Sequence, residues 1–123
     1  MLMKPKYKIG YTTGVYDMFH VGHLRLIKRA KEMCEHLIVG VSTDELVQSY
    51  KNKAPIVPYE ERKEIVAACR YVDEVVPLYS QEDKYQYLEK ADIFACGEEY
   101  KNHFDRKTVD GGTYENFSKR KPL

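Results

Sequence analysis

The strongest constraint on this chain's fold is a change of hydrophobic period that recurs along it. Short β-forming runs alternate with stretches whose apolar residues return every three or four positions. Residues 7–12 (YKIGYT) are β-rich and are followed by the turn signal Thr13-Gly14. From Val21 the period becomes helical: Val21, Leu24, Ile27, Ala30 and Met33 fall on one side, with Lys28, Arg29, Lys31 and Glu32 mostly on the other. Residues 37–41 (LIVGV) form a short continuous apolar run, as expected of a strand covered on both faces. Ser42-Thr43-Asp44-Glu45 reads as a capping box between Ser42 and Glu45 that opens a short helix. A polar loop over residues 50–57 comes next, and Pro58 stands at the start of a helix over 59–69. A third strand is expected over 74–78, a helix over 85–90 and a fourth strand over 92–96, ending at Gly97. Such alternation predicts an α/β fold, a parallel sheet flanked by helices with right-handed crossovers. No repeat, low-complexity tract or linker divides the 123 residues, so one domain over 1–123 is expected, with 98–123 a tail of unassigned structure.

Composition excludes several classes of function. No run approaches the roughly 18 apolar residues of a membrane span, and residues 1–8 have no apolar signal core behind them. A cytoplasmic protein is the expectation. The net charge of +1 gives no global attraction to nucleic acid or membrane, and Lys119-Arg120-Lys121 reads as solvated. Cys34, Cys69 and Cys96 are odd in number, lack CxxC spacing and sit among apolar neighbours. They read as small buried hydrophobes and not as nucleophiles or metal ligands.

Chemistry gathers where the first strand feeds the first helix. In open parallel sheets ligands sit beyond the carboxyl ends of strands, near helix N-termini. There the sequence runs Thr13-Gly14-Val15-Tyr16-Asp17-Met18-Phe19-His20-Val21-Gly22-His23. His20 and His23, three apart at a helix start, share a face. Gly22 between them costs about 1 kcal/mol in a helix relative to alanine, which suits a position where something approaches the backbone closely. Two imidazoles plus the free amides of a first helical turn suit a polyanion, which the helix dipole favours. Zinc fits poorly, because two ligands at this spacing fall short of the three or four it takes.

Gly14-Val15-Tyr16-Asp17 followed by His20-Val21-Gly22-His23 resembles the G-x-[FY]-D … H-x-G-H signature of the HxGH nucleotidyltransferases. Within that superfamily the chain is most similar to the cytidylyltransferases acting on glycerol 3-phosphate, phosphocholine or phosphoethanolamine. Ser42-Thr43-Asp44-Glu45, Glu61-Arg62-Lys63 and Arg70-Tyr71-Val72-Asp73-Glu74-Val75-Val76 carry the same resemblance, which covers residues 7–100. It implies a Rossmann-like nucleotidyltransferase fold that transfers CMP from CTP to a phosphorylated alcohol with release of pyrophosphate. The nucleophile would be an oxygen of the acceptor's own phosphate, already ionised, so no side-chain nucleophile is needed. The protein must hold two repelling phosphates in line and neutralise growing charge, usually with Mg²⁺.

The resemblance further implies that His20 and His23 contact the triphosphate and stabilise the transition state. Gly14, Val15, Tyr16, Asp17 and Gly22 would form the floor of the nucleotide site. Lys51 and Lys53 would hold the acceptor's phosphate, in a segment bracketed by Pro55 and Pro58. Arg62 and Arg70 would point at phosphates, and the segment 70–76 would contact a second copy in a homodimer. Gly97-Glu98-Glu99 stands where relatives carry Gly-Asp-Asp, which gives Gly97 a tight exit from the strand and Glu98 a base- or metal-facing position. Residues 106–113 (RKTVDGGT) are a loose echo of the R-T-x-G-I-S-T-[ST] motif that closes over the triphosphate in cytidylyltransferases. Two other functions remain open on the residues: an adenylyltransferase of the same fold, and a non-catalytic nucleotide-binding subunit that lacks the closing motif. Thr12 and Thr13 read as ordinary strand-end residues.

Overall fold

A computed structural model describes residues 7–95, 106–108 and 113–116. Four strands run parallel: β1 (Tyr7–Gly14), β2 (Cys34–Ser42), β3 (Glu74–Leu78) and β4 (Ile93–Ala95). Between them come α1 (Val21–Glu32), α2 (Asp44–Lys51), α3 (Tyr59–Ala68) and α4 (Gln81–Leu88). The spatial order is β3-β2-β1-β4-β6-β5, so β1 and β2 are the inner two of the four parallel strands. Two short strands, β5 (Arg106–Thr108) and β6 (Thr113–Asn116), extend the sheet antiparallel beyond β4.

The continuous apolar run in β2 is explained by its two covered faces. Leu37, Val39 and Val41 join one core with Ile27 and Ala30 of α1 and Val66 of α3. Ile38 points the other way, into a core with Tyr11, Val76, Phe94 and Leu88 of α4. Leu37 and Val39 are completely buried. The result is a three-layer α/β sandwich, as the alternation of periods predicts. Asp73 fastens its edge: one carboxylate oxygen accepts from the Leu37 amide at 2.8 Å and from Lys31 Nζ at 2.7 Å.

Cys34 is buried, its Sγ 3.3 Å from the Ala30 carbonyl, and burial pushes its thiol up to about 11. Cys69 is half-buried against the α1 and α3 core. Cys96 lies outside the described residues.

Four local expectations need correction. α2 is capped by Thr43 instead of Ser42: Thr43 Oγ1 accepts from Leu46 N at 3.3 Å. The strand runs one residue further because Ser42 still pairs with Leu78. Lys51 closes α2 and does not belong to the loop. α4 begins at Gln81, four residues earlier than the apolar pattern suggests, because Ser80 caps it through the Asp83 amide while Asp83 accepts from Tyr79 N at 2.8 Å. Finally, the sheet does not end at the fourth strand, since β6 pairs with β4 through Ile93, Phe94 and Ala95. Removing the residues after Asp105 should therefore bare the β4 edge and lower the melting temperature, measured by circular dichroism. An unchanged melt would show that β5 and β6 add nothing to the sheet's stability.

Candidate functional site

The carboxyl ends of β1 and β2 open on a cavity of about 580 Å³. The end of β1, with Thr13 and Gly14, and the β1–α1 loop, with Val15, Tyr16 and Asp17, build one wall, joined by His23 and Leu26 of α1. Ser42, Val47, Tyr50 and Lys51 come from β2 and α2, Lys53, Ala54 and Pro55 from the following loop, and Lys84 from α4. The loop is tightly wound. Tyr16 and Met18 have positive φ, 56° and 51°, and the Tyr16 ring folds back so closely that a Cβ on Gly14 would stand 2.9 Å from it.

His20 is the N-cap of α1, and the two histidines cap the helix reciprocally. His20 Nδ1 accepts from the Gly22 amide at 3.0 Å, and His23 Nδ1 accepts from the His20 amide at 3.1 Å. Gly22 is required here by the protein itself: a Cβ at that position would lie 2.7 Å from His20 Cε1. With both Nδ1 atoms accepting, each neutral ring carries its proton on Nε2, the atom left to donate. The rings lie 4.1 Å apart, centroid to centroid, and Phe19 and Tyr16 flank His23 at 5.4 Å each. Desolvation and then the neighbouring His20 push the His23 pKa below its ordinary value, against a smaller opposing pull from Asp17. His23 lines the cavity; His20 is exposed beside it.

Asp17 and Arg62 both make contacts within the protein. Asp17 Oδ2 accepts from Ile56 N at 2.8 Å and Oδ1 from Val57 N at 2.9 Å, tying the lysine-bearing loop to the β1–α1 loop. Desolvation raises its pKa, but these amides and the Arg62 charge outweigh it and hold the carboxyl below the usual range. Arg62 is 1% exposed. Its Nε donates to Val57 O at 2.8 Å, one terminal nitrogen to Val15 O and Ser42 O at 2.7 and 2.8 Å, and the other to Asp44 Oδ1 at 2.6 Å. It does not line the cavity, and in this structure the guanidinium fastens the cavity's walls. Arg70 is also away from the cavity. It is exposed, lies over the Tyr71 ring at 5.1 Å and borders a separate shallow groove with Phe19, Leu24 and Ile65. Tyr71, Val72 and Val75 of the following segment pack on their own core.

Lys51 and Lys53 stand on the cavity wall as expected, while Gly97, Glu98 and residues 109–112 lie outside the described residues. Thr13, Tyr50 and Lys84 are among the wall residues that the sequence does not single out. Thr13 is buried, and its hydroxyl has no hydrogen-bond partner although it borders the cavity. Its only signal was a polar residue ending an otherwise buried strand. Lys84 and its neighbour Tyr50 were missed because α4 was started too late and α2 was ended too early. Among the described residues no three His, Cys, Asp or Glu side chains group as a metal site.

The comparisons with known proteins agree with this geometry. A family described as cytidylyltransferase-like matches residues 11–119. The chain belongs to the cytidylyltransferase-like family. That places it among the nucleotidyltransferases. It is 42% identical over 96 residues to the glycerol-3-phosphate cytidylyltransferase of Staphylococcus aureus, covering 76% of this chain and 72% of the relative. It is 41% identical over 98 residues to the FAD synthase of Pyrococcus abyssi, covering 78% of this chain and 65% of that protein. A lipopolysaccharide core biosynthesis protein of Thermoplasma volcanium superposes with a TM-score of 0.67 at 26% identity, covering 80% of each chain. No helix among the described residues is long and apolar enough to cross a membrane.

Two outcomes follow from the site's electrostatics. Arg62→Met leaves three carbonyls and Asp44 without their donor, so denaturant unfolding should show a loss on the order of 3 kcal/mol. A loss below about 0.5 kcal/mol, the scale of an ordinary surface change, would overturn the clasp. For His23, the folded pKa lies below the unfolded value of about 6.5. The unfolded chain then binds more protons in the window just below 6.5. His23's contribution is complete above that pH and declines as pH falls towards the folded pKa. A pH titration of the His23 ring followed by NMR should give a midpoint below 6.5; a midpoint above it would reverse the sign.

Proposed function

We propose that the chain is a cytidylyltransferase that moves CMP from CTP to a small phosphorylated alcohol. An oxygen of the acceptor phosphate attacks the α-phosphorus of CTP, the bond to the bridging oxygen of the β-phosphate breaks, and pyrophosphate leaves with the electron pair. The observation that carries this reading is the reciprocal histidine cap. It leaves an Nε2–H donor on each imidazole at the N-terminus of α1, with the His23 ring on the wall of the cavity that also bears Lys51 and Lys53. Donors fixed in advance stabilise charge that grows in the transition state without reorganising at that moment. The Thr13 hydroxyl is a further donor for the triphosphate, and Gly14, Val15, Tyr16, Asp17 and Gly22 shape its floor. Lys51 and Lys53 are assigned to the acceptor phosphate, and Gly97 and Glu98 to the nucleotide. Magnesium would arrive on the triphosphate, held by phosphate oxygens and water, and would neutralise charge there.

The arginines take different parts in this reading. Arg62 acts through the loops it fastens, and Arg70 belongs to the contact of a homodimer, to be checked by sedimentation. A second reading, an adenylyltransferase, draws support from the similar identity to an FAD synthase. Thermal shifts with CTP, ATP, GTP and UTP separate the two readings: stabilisation by CTP alone supports the first and by ATP alone the second. His20→Ala and His23→Ala should each reduce pyrophosphate release by at least about 100-fold with the fold intact. Near-normal turnover in both variants would refute the histidine assignment, and wild-type protein that releases no pyrophosphate with any acceptor would favour a non-catalytic nucleotide-binding subunit.

A further inference from the structure

The bonds of Arg62 and Asp17 tie together the β1–α1 loop, the end of β2, α2 and the loop before α3. Their partners Val15, Ser42, Asp44, Ile56 and Val57 include no residue of α4. Yet α4 supplies a wall residue of the cavity, Lys84, and a different contact reaches it. Tyr50, in the last turn of α2, sets its ring against the Lys84 ammonium, which stands 5.9 Å from the ring centre. Both residues line the cavity. Tyr50 is 46% exposed and Lys84 only 7%. Desolvation lowers the Lys84 pKa, and an aromatic face stabilises the charged form without carrying a charge of its own. The Tyr50 hydroxyl is engaged separately. Burial pushes its pKa up, against a hydrogen bond with the Ser42 side chain and the Arg62 charge.

We propose that Tyr50 is a positioning residue: its ring holds the Lys84 ammonium on the cavity wall and joins α4 to the walls that Arg62 fastens. The consequence for the reaction rests on the transferase reading above; the contact itself does not. A lysine carries its charge at the end of a flexible four-carbon stem, so a fixed ammonium needs a partner that orients it. A carboxylate in the place of the ring would orient it too, but would neutralise it and repel a phosphate. The aromatic face orients the cation and leaves its charge to an anion entering the cavity. Ring and hydroxyl have different partners, Lys84 and Ser42, so substitution separates their parts.

The test follows Lys84 itself and then the reaction, in the full chain. By carbon–proton NMR, with the resonance assigned through its loss in Lys84→Met, the Lys84 ε-protons should lie upfield because of the ring current. They should return to the ordinary lysine position in Tyr50→Leu and stay upfield in Tyr50→Phe. Tyr50→Met stands in if the leucine variant shows no cooperative melt. With CTP and glycerol 3-phosphate, Tyr50→Leu should lower kcat/KM about tenfold, mainly through the acceptor's KM, while Tyr50→Phe stays within about twofold. In a Lys84→Met background Tyr50→Leu should change kcat/KM by less than about twofold, because the ring then has no cation to hold. Lys84 resonances that do not move in Tyr50→Leu overturn the inference. So do equal losses in the phenylalanine and leucine variants, which would assign the effect to the hydroxyl, or losses that multiply in the double variant. A ring-dependent Lys84 shift in a protein that releases no pyrophosphate from CTP or ATP upholds the contact and counts against the transferase reading instead.

Discussion

The walls of the cavity hold together through one buried guanidinium. Arg62 comes from α3, yet its donors end on carbonyls of three different segments: the β1–α1 loop at Val15, the end of β2 at Ser42, and the loop before α3 at Val57. The Ser42 carbonyl is buried and would otherwise face an interior with little water, where an unpaired acceptor costs about 1–3 kcal/mol. A lysine could not replace it, because one ammonium cannot reach three carbonyls and the Asp44 carboxylate in a planar fork. Asp17 completes the arrangement from the opposite direction by accepting the amides of Ile56 and Val57. Arg62 takes the Val57 carbonyl while Asp17 takes the Val57 amide, so this peptide segment is held on both sides. The loop that carries Lys53 therefore has a fixed position relative to His23, although 30 residues separate the two in sequence.

The helix start shows how a backbone requirement and a chemical one are met by the same atoms. A helix N-terminus leaves amides without partners, and serine, threonine, aspartate or asparagine usually satisfies them. Here imidazoles do so. An imidazole that accepts through Nδ1 still has a second nitrogen, which a serine hydroxyl or a carboxylate cap does not offer in the same fixed direction. Gly22 belongs to this device, because the His20 ring occupies the space its side chain would fill. The sequence argument that something must approach Gly22 closely was sound in its physics, and the approaching group is the neighbouring histidine.

Much of this was legible before the structure, for reasons that differ by element. The four parallel strands and the order of helices between them follow from hydrophobic period alone, since Leu37, Val39 and Val41 must face one layer and Ile38 the other. The antiparallel pair β5 and β6 was not legible, because strands of three and four residues are too short to display a period. Lys84 was hidden for a related reason. It sits four residues before Leu88 on the buried face of α4, but a lysine does not signal a buried position, so the apolar pattern seemed to begin at Tyr85. Arg62 shows the opposite limit. Its importance could be read from a motif, but not whether its donors would end on a ligand or on the protein's own carbonyls. That depends on where three distant segments converge.

The cavity's balance of charge gives these contacts a common logic. A site for two phosphate groups must attract anions strongly enough to gather them and weakly enough to release a pyrophosphate. Exposed lysines at 51 and 53 attract at long range and are screened by solvent, so neither holds an anion tightly alone. Desolvation and the neighbouring ring favour the neutral form of His23, which offers a hydrogen bond without a full charge. Among the described residues, the buried guanidinium of Arg62 does not line the cavity and is saturated by carbonyls and Asp44. Lys84 is a buried cation on the wall, where desolvation lowers its pKa.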